Sequence, residues 1–165
     1  MLFRSVGSGK TVTVSGLSLT GTDAGNYTLS GYTTTANITA KAITLSGLSG
    51  VNRVYDTGTV AALSGTAALT NGASGDSDNK YYSSDTVTLT GTASGTFDTK
   101  NVGSGKTVTV SGLSLTGTDA SNYTLSGYST TADITAKIIT LSGLNGVNKV
   151  YDAETIATQI GRAHV

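Results

Sequence analysis

The chain contains no cysteine, no proline and no tryptophan, and it has one histidine in 165 residues. Without cysteine there are no disulfides. Without a Cys/His set, neither a zinc cluster nor the usual nucleophile–base triad has its parts. Paired carboxylates are the remaining catalytic route, and they need a cleft that raises one pKa. The aspartates here lie in turn-like segments, so the chain is read as not an enzyme, with no cofactor. Charge is scarce too: 12 % of residues are charged, ten basic against ten acidic. That balance argues against nucleic acid or a membrane surface as partner. No apolar run reaches the roughly 18 residues of a bilayer span, so this segment is not expected to insert into a membrane.

What is present is a repeat. Residues 6–62 return as 102–158, shifted by 96 positions and identical at 47 of 57. A period of that length is domain-sized rather than the 20–50 residues or so of a solenoid rung or propeller blade. The expected organisation is a window on a tandem array. Residues 6–41 are the C-terminal part of a preceding repeat, 42–137 one complete repeat, and 138–159 the N-terminal part of a following one. The extreme ends, 1–5 (MLFRS) and 160–165 (IGRAHV), read as in-frame translations of sequencing adapters, as expected of an untrimmed metagenomic fragment. Such tails are set aside from fold reasoning. His164, Met1 and Phe3 go with them, as do Arg4 and Arg162, leaving eight basic residues against ten acidic.

Within the repeat the apolar pattern has period two, the signature of strands. In Asp85–Phe97 the positions Val87, Leu89, Ala93 and Phe97 share one parity, with Thr and Ser on the other. Val108 and Val110 share a face; after Ser111-Gly112 the parity flips to Leu113 and Leu115. The same Ser-Gly-Leu flip occurs at 15–17, 46–48 and 142–144. A one-residue slip turns every later side chain to the opposite face, so a bulge or sharp bend is expected at each glycine. Strands are placed near 42–48, 51–56, 58–63, 86–92, 106–116, 122–127 and 130–136, with a polar loop over Asn71–Asp85. That pattern predicts an all-β fold, an immunoglobulin-like β-sandwich repeated in tandem. A β-helix-type solenoid is the alternative. The strands of 6–41 are left without partners, and open edges invite pairing with another molecule.

Asp119-Ala-Ser-Asn-Tyr123-Thr-Leu125, and Asp23 to Leu29 before it, resemble the Asp-x-Gly/Ala-x-Tyr-x-Cys stretch of immunoglobulin domains. There the tyrosine hydroxyl bonds back to nearby backbone, the tyrosine corner. Tyr27 and Tyr123 are assigned that structural place, with Leu29 and Leu125 where the cysteine would stand.

The ordered phrases ITAKAITLSGL (38–48), NRVYD and NKVYD (52–56, 148–152), LTGTASGTF (89–97), the run 100–125 and TTADITAK (130–137) resemble YDG-type repeats, close to MBG repeats. The family occurs in large filamentous-haemagglutinin-like and autotransporter-like adhesins. The resemblance implies a secreted stalk or adhesive repeat at a bacterial cell surface, outside the outer membrane. Its implied partners are neighbouring repeats of the same chain, with a host glycan or protein as the further candidate. The glycine of Tyr-Asp-Gly is replaced in both copies, by Thr57 and by Ala153, which puts in doubt a turn requiring positive φ there.

Several residues invite a functional reading. Tyr55-Asp56 and Tyr151-Asp152 recur as a pair; tyrosine packing with an aspartate capping a turn is the structural reading preferred for them. Asp76, Asp78, Asn79 and Asp85 crowd one loop, and alternate oxygen donors suit Ca²⁺, although charged turn residues are more often simply solvated. Tyr81 and Tyr82 in that loop suit stacking on a sugar or partner surface, or covering a sandwich edge. Gly105-Lys106-Thr107 lacks the earlier glycine of a phosphate-binding loop, Lys100 standing in its place. Asn26, Asn37 and Asn122 begin N-x-Thr triplets, a pattern common by chance in a Thr-rich chain.

Overall fold

A computed structural model of the chain describes residues 5–75, 77–143, 146 and 148–155. They form an all-β structure. In chain order the strands are β1 Gly7–Val14, β2 Tyr32–Ile38, β3 Lys41–Ile43, β4 Leu45–Gly50, β5 Arg53–Val54, β6 Val60–Ala61, β7 Leu63–Leu69, β8 Thr88–Phe97, β9 Gly103–Thr116, β10 Tyr123–Leu125 and β11 Tyr128–Thr135. Two 3-10 turns, Ala24–Asn26 and Ala120–Asn122, precede Tyr27 and Tyr123 at equivalent places of the repeat.

The main sheet has the order β5-β11-β9-β8-β6. All its pairings are antiparallel except β5 with β11. A flat sheet of five strands would separate its edges by roughly 19 Å, at ~4.8 Å per strand. Here the edges meet: Arg53 on β5 donates to the carbonyl of Val60 on β6 at 3.0 Å. The sheet is therefore curled into a half-barrel, with the arginine across its opening. The two-stranded β4–β7 sheet packs over it, and β3 pairs in parallel with β10. Antiparallel neighbours joined by short connections are not stacked solenoid rungs. A curled sheet carrying two small ones also differs from a pair of equal flat sheets.

Phe97, Val108, Ala61, Ala132 and Ile134 fill the half-barrel, with Tyr55 and Leu63 against them. Ile43, Val87 and Tyr123 form a second cluster with Leu69, Tyr81, Leu115 and Leu125. One strand feeds both: β9 supplies Val108 to the first and Leu115 to the second. It does so by changing parity at Gly112, where φ is +84°. Opposite it, Gly91 (φ +97°) lies in the register shift of the β8–β9 pair. The β4–β7 pair has its own register shift at Gly47 and Gly65, and β7 gives Leu63 to one cluster and Leu69 to the other. A Cβ on Gly112 would lie 2.3 Å from the Thr92 carbonyl oxygen, and one on Gly47 2.3 Å from that of Thr66. The backbones pass too closely for any side chain.

The flanking segments keep the local geometry without the burial. Gly16 has φ +79° and Gly143 φ +77°, as Gly112 and Gly47 do. Tyr27 is 71 % exposed against 7 % for Tyr123, and Ile139 67 % against 1 % for Ile43.

Gly112 and Gly16 therefore make a matched test, since a Cβ on Gly16 meets nothing within 4 Å. Gly16→Ala is expected to cost about 1 kcal/mol, from positive φ alone. Gly112→Ala adds the clash and is expected to cost about 2–4 kcal/mol. Urea unfolding of the two variants measures the difference; equal costs would contradict the close-approach explanation.

Candidate functional site

The loop between β7 and β8 is organised by one aspartate and one lysine. Asp78 accepts from the Ser74 N–H at 2.6 Å, from the Lys80 N–H at 3.1 Å and from Lys41 Nζ at 2.6 Å. Lys41 is the first residue of β3. Its ammonium also donates to the Gly75 carbonyl and lies 4.8 Å from the Tyr82 ring centroid. The Lys41 hydrogen bond, then the backbone N–H groups, hold the Asp78 carboxyl well below its ordinary value of 3.8.

Among the described residues this arrangement does not gather a calcium ligand set. Both Asp78 oxygens already face protein donors, and an ammonium stands where a cation would bind. Asn79 turns the loop with φ +59°, its carbonyl accepting from the Thr44 N–H. Asp85 faces away, toward Tyr123. Asp76 lies outside the described residues. Among the described residues no three Asp, Glu, His or Cys side chains come together.

Tyr123 is the second anchor of the loop. Its hydroxyl donates to Asp85 Oδ2 at 2.7 Å and accepts from the Tyr82 N–H at 3.1 Å. Burial, reinforced by the Asp85 carboxylate, pushes its pKa up from 10 to about 12. The bond is thus not a tyrosine corner closed on backbone a few residues upstream; it reaches 41 residues back. The reason lies in Asp119: its carboxylate accepts from the Thr86 N–H at 2.9 Å, which seats the 82–86 segment directly over the phenol. Tyr81 packs edge-on against Tyr123, centroids 6.5 Å apart. Tyr82 is the aromatic left at the surface, 39 % exposed.

The Tyr-Asp turn lies at the barrel opening. Tyr55 packs on the Phe97 cluster, and its N–H donates to the Thr135 carbonyl at 2.9 Å. Asp56 accepts from the Gly58 N–H at 3.0 Å and pairs with Arg53 at 2.7 Å. The following copy repeats the pattern: Asp152 accepts from the Glu154 N–H at 3.0 Å and pairs with Lys149 at 2.7 Å. The lysine hydrogen bond, then that N–H, lower the Asp152 pKa, while Tyr151 is 90 % exposed. Positive φ survives the loss of glycine, at +73° for Thr57 and +60° for Ala153.

Sequence reasoning missed three residues. Nothing in the residues around Lys41 names Asp78 as its partner. Arg53, whose guanidinium lies 5.0 Å from the Phe97 ring centroid, differed from Lys149 between copies, the one available signal. Tyr128, whose hydroxyl donates to the Leu48 carbonyl at 2.7 Å, had none. Asn37 and Asp133 differ in type yet do one job: each accepts a glycine N–H, from Gly9 at 2.9 Å and from Gly105 at 2.7 Å. Asn122 accepts from the Val6 N–H at 2.9 Å.

Three measurements test this geometry. Tyr123→Phe is expected to cost about 1–3 kcal/mol, because Asp85 and the Tyr82 N–H lose their partner. The phenol's contribution is complete below pH 10 and lost as pH rises toward about 12. Asp78 contributes above pH 3.8 and loses that contribution as pH falls below it. Unfolding midpoints should therefore fall at both extremes, with Tyr123→Phe blunting the alkaline arm. Thr57→Gly should raise stability by about 0.5–1 kcal/mol, relief of left-handed strain outweighing the entropy of glycine.

A family model of the YDG domain matches residues 4–36 and 39–132. No curated protein and no solved structure shows significant similarity to the chain.

Proposed function

Since the chain belongs to the YDG-domain family, we propose that it is a non-catalytic extracellular repeat segment of a bacterial adhesin, a spacer that projects or forms part of an adhesive fibre outside the outer membrane. What supports this reading is the domain-sized repeat itself, residues 6–62 returning as 102–158. Near the start of the second family match, Lys41 is gripped by the 71–85 loop through Asp78 at 2.6 Å and the Tyr82 ring. Its side chain is only 10 % exposed. A lysine buried against that loop stiffens the entry to the unit, as a spacer requires. The outer faces are supplied by Thr and Ser, which hydrate without net charge.

One observation favours a second reading, a module that contacts host glycan or protein through the same loop. Tyr82 presents an exposed aromatic face, the chemistry that stacks on sugar rings.

Antibodies raised against the chain should label intact producing cells, and protease treatment of those cells should remove the label; labelling only after permeabilisation would refute the extracellular assignment. Deleting residues 71–85 is not a clean control, because the loop partners Tyr123 and Lys41. Tyr82→Ser is. A spacer should give no saturable binding on glycan or host-protein arrays. Saturable binding abolished by Tyr82→Ser would establish the second reading instead.

A further inference from the structure

An asparagine followed by glycine has a bare neighbour, because glycine carries no side chain to cover its own peptide nitrogen. Asn71-Gly72 is such a pair, at the start of the β7–β8 loop, and both residues are exposed. Gly72 has φ +84°, so the turn that calls for glycine is also what leaves the nitrogen unshielded. A Cβ on Gly72 would meet nothing within 4 Å. Asn71 is joined to the loop through backbone, in an isolated bridge to Tyr81. Around it the Tyr81 N–H donates to the Thr70 carbonyl at 3.1 Å, and the Tyr81 carbonyl accepts from the Ala73 N–H at 3.2 Å.

The other described asparagines are each restrained or covered. The carboxamide oxygens of Asn37, Asn52 and Asn122 accept backbone N–H groups at 2.9, 2.7 and 2.9 Å, which holds each side chain away from the nitrogen that follows it. After Asn26 and Asn79 that nitrogen is itself engaged. The Tyr27 N–H donates to the Ala24 carbonyl at 3.2 Å, and the Lys80 N–H to Asp78 at 3.1 Å. Asn101 and Asn148 precede Val102 and Lys149, whose side chains cover the nitrogen. Asn145 also precedes a glycine but lies outside the described residues.

We propose that Asn71 is a site of spontaneous deamidation, and that the reaction converts the anchored β7–β8 loop into a looser one. The Gly72 nitrogen attacks the side-chain carbonyl carbon of Asn71. A C–N bond forms, the bond to the amide nitrogen breaks, and ammonia leaves carrying the peptide proton. Water then opens the succinimide ring at either carbonyl, giving aspartate or isoaspartate. Isoaspartate routes the main chain through the side-chain methylene and so lengthens it. Thr70 and Ala73 then cannot both reach Tyr81 in the present register. The Tyr81 ring, edge-on to Tyr123 with centroids 6.5 Å apart, loses the backbone that places it. The reaction needs only water, and it stands apart from the spacer reading.

The folded full chain, held at mildly alkaline pH and sampled over time, tests this by peptide mass spectrometry. The tryptic peptide Val54–Lys80 contains both Asn71 and Asn79. Asn71 should convert, with isoaspartate exceeding aspartate, while Asn79 stays intact. Conversion of Asn79 or Asn101 ahead of Asn71, or conversion of Asn71 only in urea, would overturn the proposal. Hydrogen exchange reads the loosening: the Ala73 and Tyr81 N–H groups should exchange about five- to tenfold faster in the isoaspartate form, the loss of one net hydrogen bond. Asn71→Asp adds the charge without lengthening the chain and should leave both protected, as should Asn71→Gln, which resists ring closure. Unchanged exchange in the converted chain, or equal loosening in Asn71→Asp, would also overturn it.

Discussion

The structure depends on two places where backbones pass closer than any side chain allows. Gly91 against Gly112, and Gly47 against Gly65, let two strand pairs shift register halfway along. β9 and β7 can then each bury one side chain in the half-barrel and another in the Ile43–Tyr123 cluster. A small domain with little aromatic content needs that economy. Without the kinks β9 would present Val108 and Leu115 to opposite faces, and one of the two clusters would lose its floor.

The second cluster is where distant parts of the repeat are tied together. Tyr123 holds the 81–85 segment through its hydroxyl, and Asp119 holds Thr86 beside it. The same loop reaches over to Lys41 at the start of β3. A loop with the composition of a ligand-binding insertion is thereby tied into the domain at three points. Of the loop's two tyrosines, Tyr82 is the exposed one.

Much of this was legible in residue pattern. Alternation along 85–97 and its reversal at Ser-Gly-Leu identified the strands and the bends, because period and parity are local properties. The Asp-x-x-x-Tyr-x-Leu phrase singled out Tyr123 for the same reason. Its partners were not legible, since the hydroxyl bonds across 41 residues and nothing in either segment names the other. The Tyr-Asp turn shows a subtler limit. Absence of glycine suggested absence of positive φ, yet Thr57 keeps it, held by Asp56 on the Gly58 N–H and by Arg53 across the barrel opening. Neighbours that over-determine a backbone can impose a conformation its own residue disfavours.

By itself the sequence determined the repeat and its period, the all-β character, the bends at glycine and the lack of any histidine or cysteine chemistry in the repeats. Each of these follows from composition or from spacing between near neighbours. Only the tertiary structure decided that the main sheet curls until Arg53 spans its edges, that Lys41 and Asp78 tie β3 to the 71–85 loop, and that Tyr123 seats a distant loop. Those are contacts between residues far apart in the chain, chosen by the order in which strands pair. The same cause separates Tyr27 from Tyr123: nearly identical words are buried or exposed according to which strands stand beside them.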